Sequence, residues 1–195
     1  MRRPRGADFA PGVYVFPGGA VHAEDSRWRD EIAAAAVREL FEEMGILLAR
    51  TGGRFAKDRE CERVRDLVAG GSSFGEALLS CSLLPALDRL VLLARWVTPA
   101  LMSRRYDARF YLARLPSDQT VRAQPDEVSD WLWSTPERAL RDPEIPLVYA
   151  TRKVLESVGG DDDVNALFRR ARRLSGVPVV EPRMIQTESG WEVVL

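Results

Sequence analysis

Three carboxylates carry the strongest chemical signal in this chain. In the run Arg38-Glu39-Leu40-Phe41-Glu42-Glu43-Met44-Gly45-Ile46, Glu39 stands three residues before Glu42 and four before Glu43. On a helix that spacing places all three on one face. Like charges so arranged cost roughly 0.2–0.5 kcal/mol per pair, and near a helix C-terminus the macrodipole disfavours them again. A divalent cation would remove both penalties, and hard oxygen ligands suit Mg2+ or Mn2+. Arg38 reaches Glu42 at i+4 and can hold it in position. A solvated acidic face would show the same spacing, so the helix alone leaves both readings open.

Other residues bear on the same chemistry. Gly18 and Gly19 follow Phe16-Pro17 in a turn where missing side chains let the backbone approach a ligand or expose a carbonyl. Arg104, Arg105 and Arg109 surround Tyr106 and could grip phosphates bidentately; a surface cluster or an ion pair with Asp107 is the alternative. His22 is the only histidine, and a lone loop histidine reads as a surface residue. Trp96, Trp131 and Trp133 could stack a base, but Trp131 and Trp133 share one strand face and are expected to pack in a core.

The elements that must position these groups follow from pattern and punctuation. Residues 26–44 are predicted as the most secure helix, with four consecutive alanines, Asp25 or Ser26 as cap and Gly45 at its end. Val13–Phe16, 46–48, 90–97, 109–115 and 128–133 read as strands. Residues 57–84 read as a helical pair split at Gly70-Gly71-Ser72 and stopped by Pro85. Helices are also predicted over 136–140, 147–158 and 162–174, with Ser134-Thr135 capping the first. The tail, 175–195, holds two extended pieces, VPVV and WEVVL. Mixed strands and helices indicate an α/β or α+β class, organised as a single domain over 1–195 with a helical insert at 57–84.

Bulk composition excludes several classes. Lys plus Arg number 28 and Asp plus Glu 29, a net charge of -1, which removes nucleic-acid binding driven by bulk positive charge. Hydrophobic residues at 46% are too many for disorder. Two cysteines, Cys61 and Cys81, without CxxC, argue against a disulfide scaffold or a cysteine–zinc site. Arg2, Arg3 and Arg5 are not followed by the apolar run of a signal peptide, and no stretch has the apolar length of a membrane span. The expected partner is a small molecule rather than nucleic acid or membrane, and the expected compartment is the cytoplasm.

From Gly19 to Ile46 the chain resembles the box of the Nudix (MutT-like) hydrolase superfamily, G-x5-E-x7-R-E-U-x-E-E-x-G-U with U aliphatic. Arg38, Glu39, Leu40, Glu42, Glu43, Gly45 and Ile46 match its second half in full. The first half is five residues too long; counted back from Arg38, Asp30 occupies the place of the first acid, and His22–Arg27 is the expected insertion. The FPGG turn, the stretched loop with Glu24-Asp25-Ser26, the helical insert, Trp96-Val97-Thr98-Pro99 and Arg104-Arg105-Tyr106-Asp107-Ala108-Arg109-Phe110 resemble the branch of peroxisomal coenzyme A diphosphatases and their bacterial relatives.

The resemblance implies a Nudix fold, a mixed β-sheet between helices, and metal-dependent cleavage of a nucleoside diphosphate linked to another moiety. It assigns Glu39, Glu42 and Glu43 to one to three Mg2+ ions, adds the carbonyl of Gly18, and points to Glu127, six residues before Trp133, as a further ligand or base. Either Glu39 or Glu127 could be the general base. Coenzyme A or acyl-CoA competes with ADP-ribose, NADH and dinucleoside polyphosphates as substrate, and a non-catalytic nucleotide-binding module is the rival class. Against the family, Arg2-Arg3-Pro4 stands where a leading strand is already complete. The apolar tail is therefore expected to pair with the sheet, or with a partner's sheet in a homodimer.

Overall fold

The computed structural model describes every residue except 103, 162, 175, 188 and 189. The chain forms two compact units, Met1–Leu90 with Ala113–Trp133, and Val91–Leu112 with Ser134–Leu195.

The first unit is organised by α1, Glu31–Met44. Its alanine run favours helix, and Val37 and Phe41 turn inward to a core that includes Leu47, Leu48, Val64, Phe74 and Leu78. The predicted start at 26 is corrected. A short 3-10 turn covers Ala23–Arg27, the chain breaks, and Asp30 caps α1 by accepting from Ala33 N at 3.0 Å. Asp25 cannot serve as that cap, because its carboxylate is committed to Arg38 and to His22 N. The stop falls as predicted at Gly45, left-handed at φ 71°, whose N–H donates to Phe41 O at 2.8 Å. A Cβ there would stand 2.9 Å from Arg122 O. Gly45→Ala should therefore cost about 1–2 kcal/mol for the left-handed backbone, plus the displacement of residue 122, read as a lower urea midpoint at constant slope.

The insert is the predicted helical pair, α2 at Asp58–Ala69 and α3 at Phe74–Ser80. Ser73 caps α3 and Glu76 closes the reciprocal box. Cys61 is buried and Cys81 half-buried. Three short antiparallel strands, β1 (Ala49–Thr51), β2 (Arg54–Phe55) and β3 (Leu84–Pro85), run in the order β2-β1-β3. The strand expected at 46–48 begins later, at Ala49. Leu47 instead satisfies its backbone on a side chain: Gln119 Oε1 accepts from Leu47 N at 2.8 Å, and its Nε2 donates to Leu47 O and Ala56 O at 2.9 and 2.7 Å.

The strands expected at 13–16 and 128–133 reduce to single bridges, both on Arg2. Residues 1–3 lie between them: Arg3 N donates to Val13 O, Val15 N to Met1 O, Arg2 N to Asp130 O and Ser129 N to Arg2 O, all within 2.7–3.0 Å. The opening residues thus bridge residues 13–15 to residues 129–130.

The second unit is built on β4 (Val91–Val97), antiparallel to β5 (Asp107–Leu112) and parallel to β6 (Val179–Val180). This sheet is mixed, and the first piece of the tail joins it within its own chain. Leu93, Trp96, Val154 and Ala171 form the buried core under it, so Trp96 is a core residue, edge-on to Tyr149. Three helices complete the unit. Thr135 caps α4 (Pro136–Arg141); α5 is Tyr149–Val158; Asp163 caps α6 (Val164–Arg173). The rest of the tail is a hairpin, β7 (Arg183–Thr187) with β8 (Gly190–Val194). The α/β class is as expected, and among the described residues no helix is long and apolar enough to cross a membrane.

Candidate active site

Arg38 is the centre of the site. It is fully buried, and all five of its N–H donors are used. Nε and one terminal nitrogen meet Asp25 at 3.2 and 3.1 Å, and that nitrogen also donates to Ala20 O at 2.8 Å. The other donates to Glu39 Oε1 and Glu42 Oε2, each at 2.8 Å. One guanidinium therefore ties the loop after the Gly18-Gly19 turn to two of the three helix carboxylates. Burial alone would lower its pKa, but hydrogen bonds to Asp25 and Glu39 hold it above the ordinary arginine value.

Asp25 is the residue that sequence reasoning missed. It is 2% exposed, and the place of the first acid belongs to it rather than to Asp30, which is a helix cap. The signal was available from the other end of the pattern: six residues on from Gly19 is Asp25. The additional residues fall after Asp25, at the break before α1, and not across His22–Arg27. His22 itself is exposed, and its backbone N–H donates to Asp25 Oδ2 at 2.8 Å.

Glu43 is 2% exposed and accepts from Gly18 N at 2.8 Å. Burial pushes its carboxyl up to about 7; the Gly18 N–H opposes that, while the charges of Glu39 and Glu127 add to it and Arg3 counters them. Burial also raises Glu42, against the pull of Arg38. Glu127 is exposed. It is brought within electrostatic reach of Glu43 by Arg122 N donating to Met44 O at 2.8 Å and Gln124 N to Glu43 O at 2.9 Å. Val128 anchors that segment in a buried cluster with Met44 and Ile46.

Gly19 explains the turn. A Cβ built on it would lie 2.5 Å from both Oε1 and the carboxyl carbon of Glu39, so only glycine lets that carboxylate rest against the backbone. Gly19→Ala should displace Glu39 from the Arg38 N–H it accepts, lowering the melting temperature and, with it, turnover by about 100-fold, the scale of a 1 Å misplacement. Unchanged turnover would show that Glu39's position is not critical.

The fit to a metal rests on donor chemistry. Glu39, Glu42, Glu43 and Glu127 are hard oxygen donors of the kind Mg2+ and Mn2+ take, and Glu43 is held buried with the Gly18 N–H donating to it. Among the described residues, no three such side chains already converge as a closed ligand set; Glu39 and Glu42 face Arg38, and Glu43 faces Gly18 N–H.

The three candidate phosphate-gripping arginines belong to the other unit. Arg104 is exposed, Arg105 donates to Thr98 O and pairs with Glu181, and Arg109 on β5 stands opposite Arg95. Asp107 takes Arg95 as its bidentate partner, at 2.8 and 2.6 Å. The expected packing of Trp131 and Trp133 in a core is overturned: they are 38% and 65% exposed.

The chain is similar to proteins already known. The family model described as NUDT19 Nudix domain matches residues 29–147. The chain is 32% identical over 142 residues to putative nudix hydrolase 7 of Caenorhabditis elegans, covering 72% of this chain and 47% of that protein. It is 23% identical over 202 residues to the acyl-coenzyme A diphosphatase NUDT19 of Xenopus laevis, covering 73% and 53%. The chain therefore spans about half the length of the curated relatives it matches. The crystal structure of a Nudix hydrolase from Alicyclobacillus acidocaldarius superposes with a TM-score of 0.72 at 26% identity, over 86% of this chain and 85% of that one.

Proposed function

The chain belongs to the Nudix hydrolase superfamily, and from that membership we propose that it hydrolyses a diphosphate bond in a nucleoside diphosphate linked to another moiety, with coenzyme A or an acyl-CoA as the favoured substrate. The observation that carries the reading is the Arg38 hub, which spends every donor on orienting Glu39, Glu42 and the Gly19–Asp25 loop. A merely solvated acidic face has no need of a fully buried cation beneath it.

Glu39, Glu42 and Glu43 would hold Mg2+ or Mn2+, with Gly18 and Glu127 as further candidates. The cation, when bound, neutralises phosphoryl charge and lowers the pKa of water. Arg38 keeps Glu39 and Glu42 at fixed positions, so they need no reorganisation when charge develops. Gly19 leaves room for the Glu39 carboxylate. Glu127, exposed and within electrostatic reach of Glu43, is one candidate to accept a proton from water, and Glu39 is the other. Arg104, Arg105 and Arg109 remain our proposed phosphate contacts.

The coenzyme A arm is supported by the matching family model and by the printed activity of the Xenopus relative. Two free thiols suit a reducing compartment, and we assign the reaction to the cytoplasm. Incubation with coenzyme A, ADP-ribose, NADH and diadenosine polyphosphates, with Mg2+ or Mn2+, tests the reading. Cleavage of coenzyme A into adenosine 3′,5′-bisphosphate and phosphopantetheine is the expected result. Saturating Mn2+ should also raise the melting temperature of the resting protein, since a ligand that binds only the folded state stabilises it. Hydrolysis of ADP-ribose or a dinucleotide instead would move the substrate assignment. Nucleotide binding without any hydrolysis would identify a binding module.

A further inference from the structure

Tryptophan carries a large apolar surface and is normally covered. Trp131 and Trp133 are instead 38% and 65% exposed, with rings edge-to-face at 83° and centroids 6.3 Å apart. They do not sit on a frayed loop. Directly before them, Arg2 N donates to Asp130 O at 2.7 Å and Ser129 N to Arg2 O at 3.0 Å. The Asp130 carboxylate accepts from Tyr14 Oη and from Trp131 N. The pair is therefore exposed and preorganised at once, which lowers the ordering cost of binding.

Its place in the unit narrows the ligand. Glu127 lies on the same segment, which Gln124 N ties to Glu43 O at 2.9 Å and Val128 packs against Met44 and Ile46, so the aromatic pair follows directly on the stretch that runs past the candidate metal ligands. Asp126, Glu127 and Asp130 make that segment acidic, so the part of a nucleotide that suits it is the uncharged base and not the phosphates. A neutral, planar ring fits it. We propose that Trp131 and Trp133 are the stacking platform for the nucleobase of the substrate, and so determine specificity for nucleoside diphosphates. The proposal rests on the function proposed above, but its test does not require turnover.

Intrinsic fluorescence of the full chain is titrated with ADP and, as a base-free control, ribose 5-phosphate. Saturable quenching by ADP only is expected. Trp133→Ala and Trp131→Ala should each weaken ADP binding about 5- to 100-fold, the range for losing one stacked base, and Trp133→Phe should restore most of it. In turnover assays the alanine variants should raise KM with kcat within about twofold. Absent quenching, equal quenching by ribose 5-phosphate, or an unchanged ADP Kd in the double alanine variant would overturn the platform. So would a wild-type dimer that the double variant converts to monomer at unchanged ADP affinity, which would make the pair an interface between copies. ADP binding that depends on the tryptophans, with no hydrolysis of any substrate, would support the platform and defeat the catalytic reading.

Discussion

Replacing Asp25 with alanine is expected to destabilise the protein by about 3–5 kcal/mol, the range for removing one member of a buried ion pair. Arg38 is fully buried, and two of its five donors end on Asp25. Alanine leaves those buried donors without a partner and removes the acceptor of His22 N. At about 2–4 °C per kcal/mol for a chain of this size, the melting temperature should fall by roughly 6–20 °C. Turnover should fall as well, because Arg38 also holds Glu39 and Glu42. Asp30→Ala is the contrast: it removes a helix cap and should cost only about 1 kcal/mol. If the two variants melt alike, Asp25 is not the acid that anchors the site.

The second large effect is expected from Glu43→Gln. Size is kept and ligand charge is lost, and turnover should drop by at least about 100-fold, beyond the 10–100-fold range of changes outside the ligand set itself. The same variant should respond oppositely in metal-free stability. Glu43's folded pKa is about 7, above the ordinary carboxylate value, so between about 4.5 and 7 the folded state binds more protons than the unfolded chain. Stability from this group is complete below that window and is lost as pH rises through 7. Wild-type protein without metal should therefore lose melting temperature from pH 5 to pH 8 more steeply than Glu43→Gln, and at pH 8 the variant should be the more stable of the two. Added Mn2+ should restore the wild type and do little for the variant. Parallel pH profiles, or equal Mn2+ shifts, would exclude Glu43 as a buried ligand.

Much of the candidate site was legible because its geometry is local. Glu39, Glu42 and Glu43 share a helix face by the 3.6-residue period alone, Arg38 reaches Glu42 by the same rule, and Gly45 stops the helix through its own backbone freedom. The helical pair within 57–84 and β4 were legible for similar reasons: each follows from periodicity, punctuation or an apolar run. The joining of the tail to the sheet was expected from the resemblance, and it holds for Val179–Val180, whereas the second extended piece pairs within the tail.

What the tertiary structure decided is pairing between distant residues. Asp25 stands at the acid's place counted on from Gly19 and Asp30 at that place counted back from Arg38, and the path of the Gly19–Asp25 loop decides that Asp25 is the one buried on Arg38. Leu47 sits in a strand-like apolar run, yet its hydrogen-bonding groups meet Gln119, 72 positions away, an acceptor and donor that no local pattern announces. Residues 13–16 and 128–133 have strand-like patterns, but the length of a ladder depends on the neighbour, and here Arg2 supplies one bridge to each. Alternation put Trp131 and Trp133 on a common face; whether anything covers that face is set by the rest of the chain, and it leaves them open. Spacing along a helix is a property of the backbone itself, whereas burial and partnership belong to the whole fold.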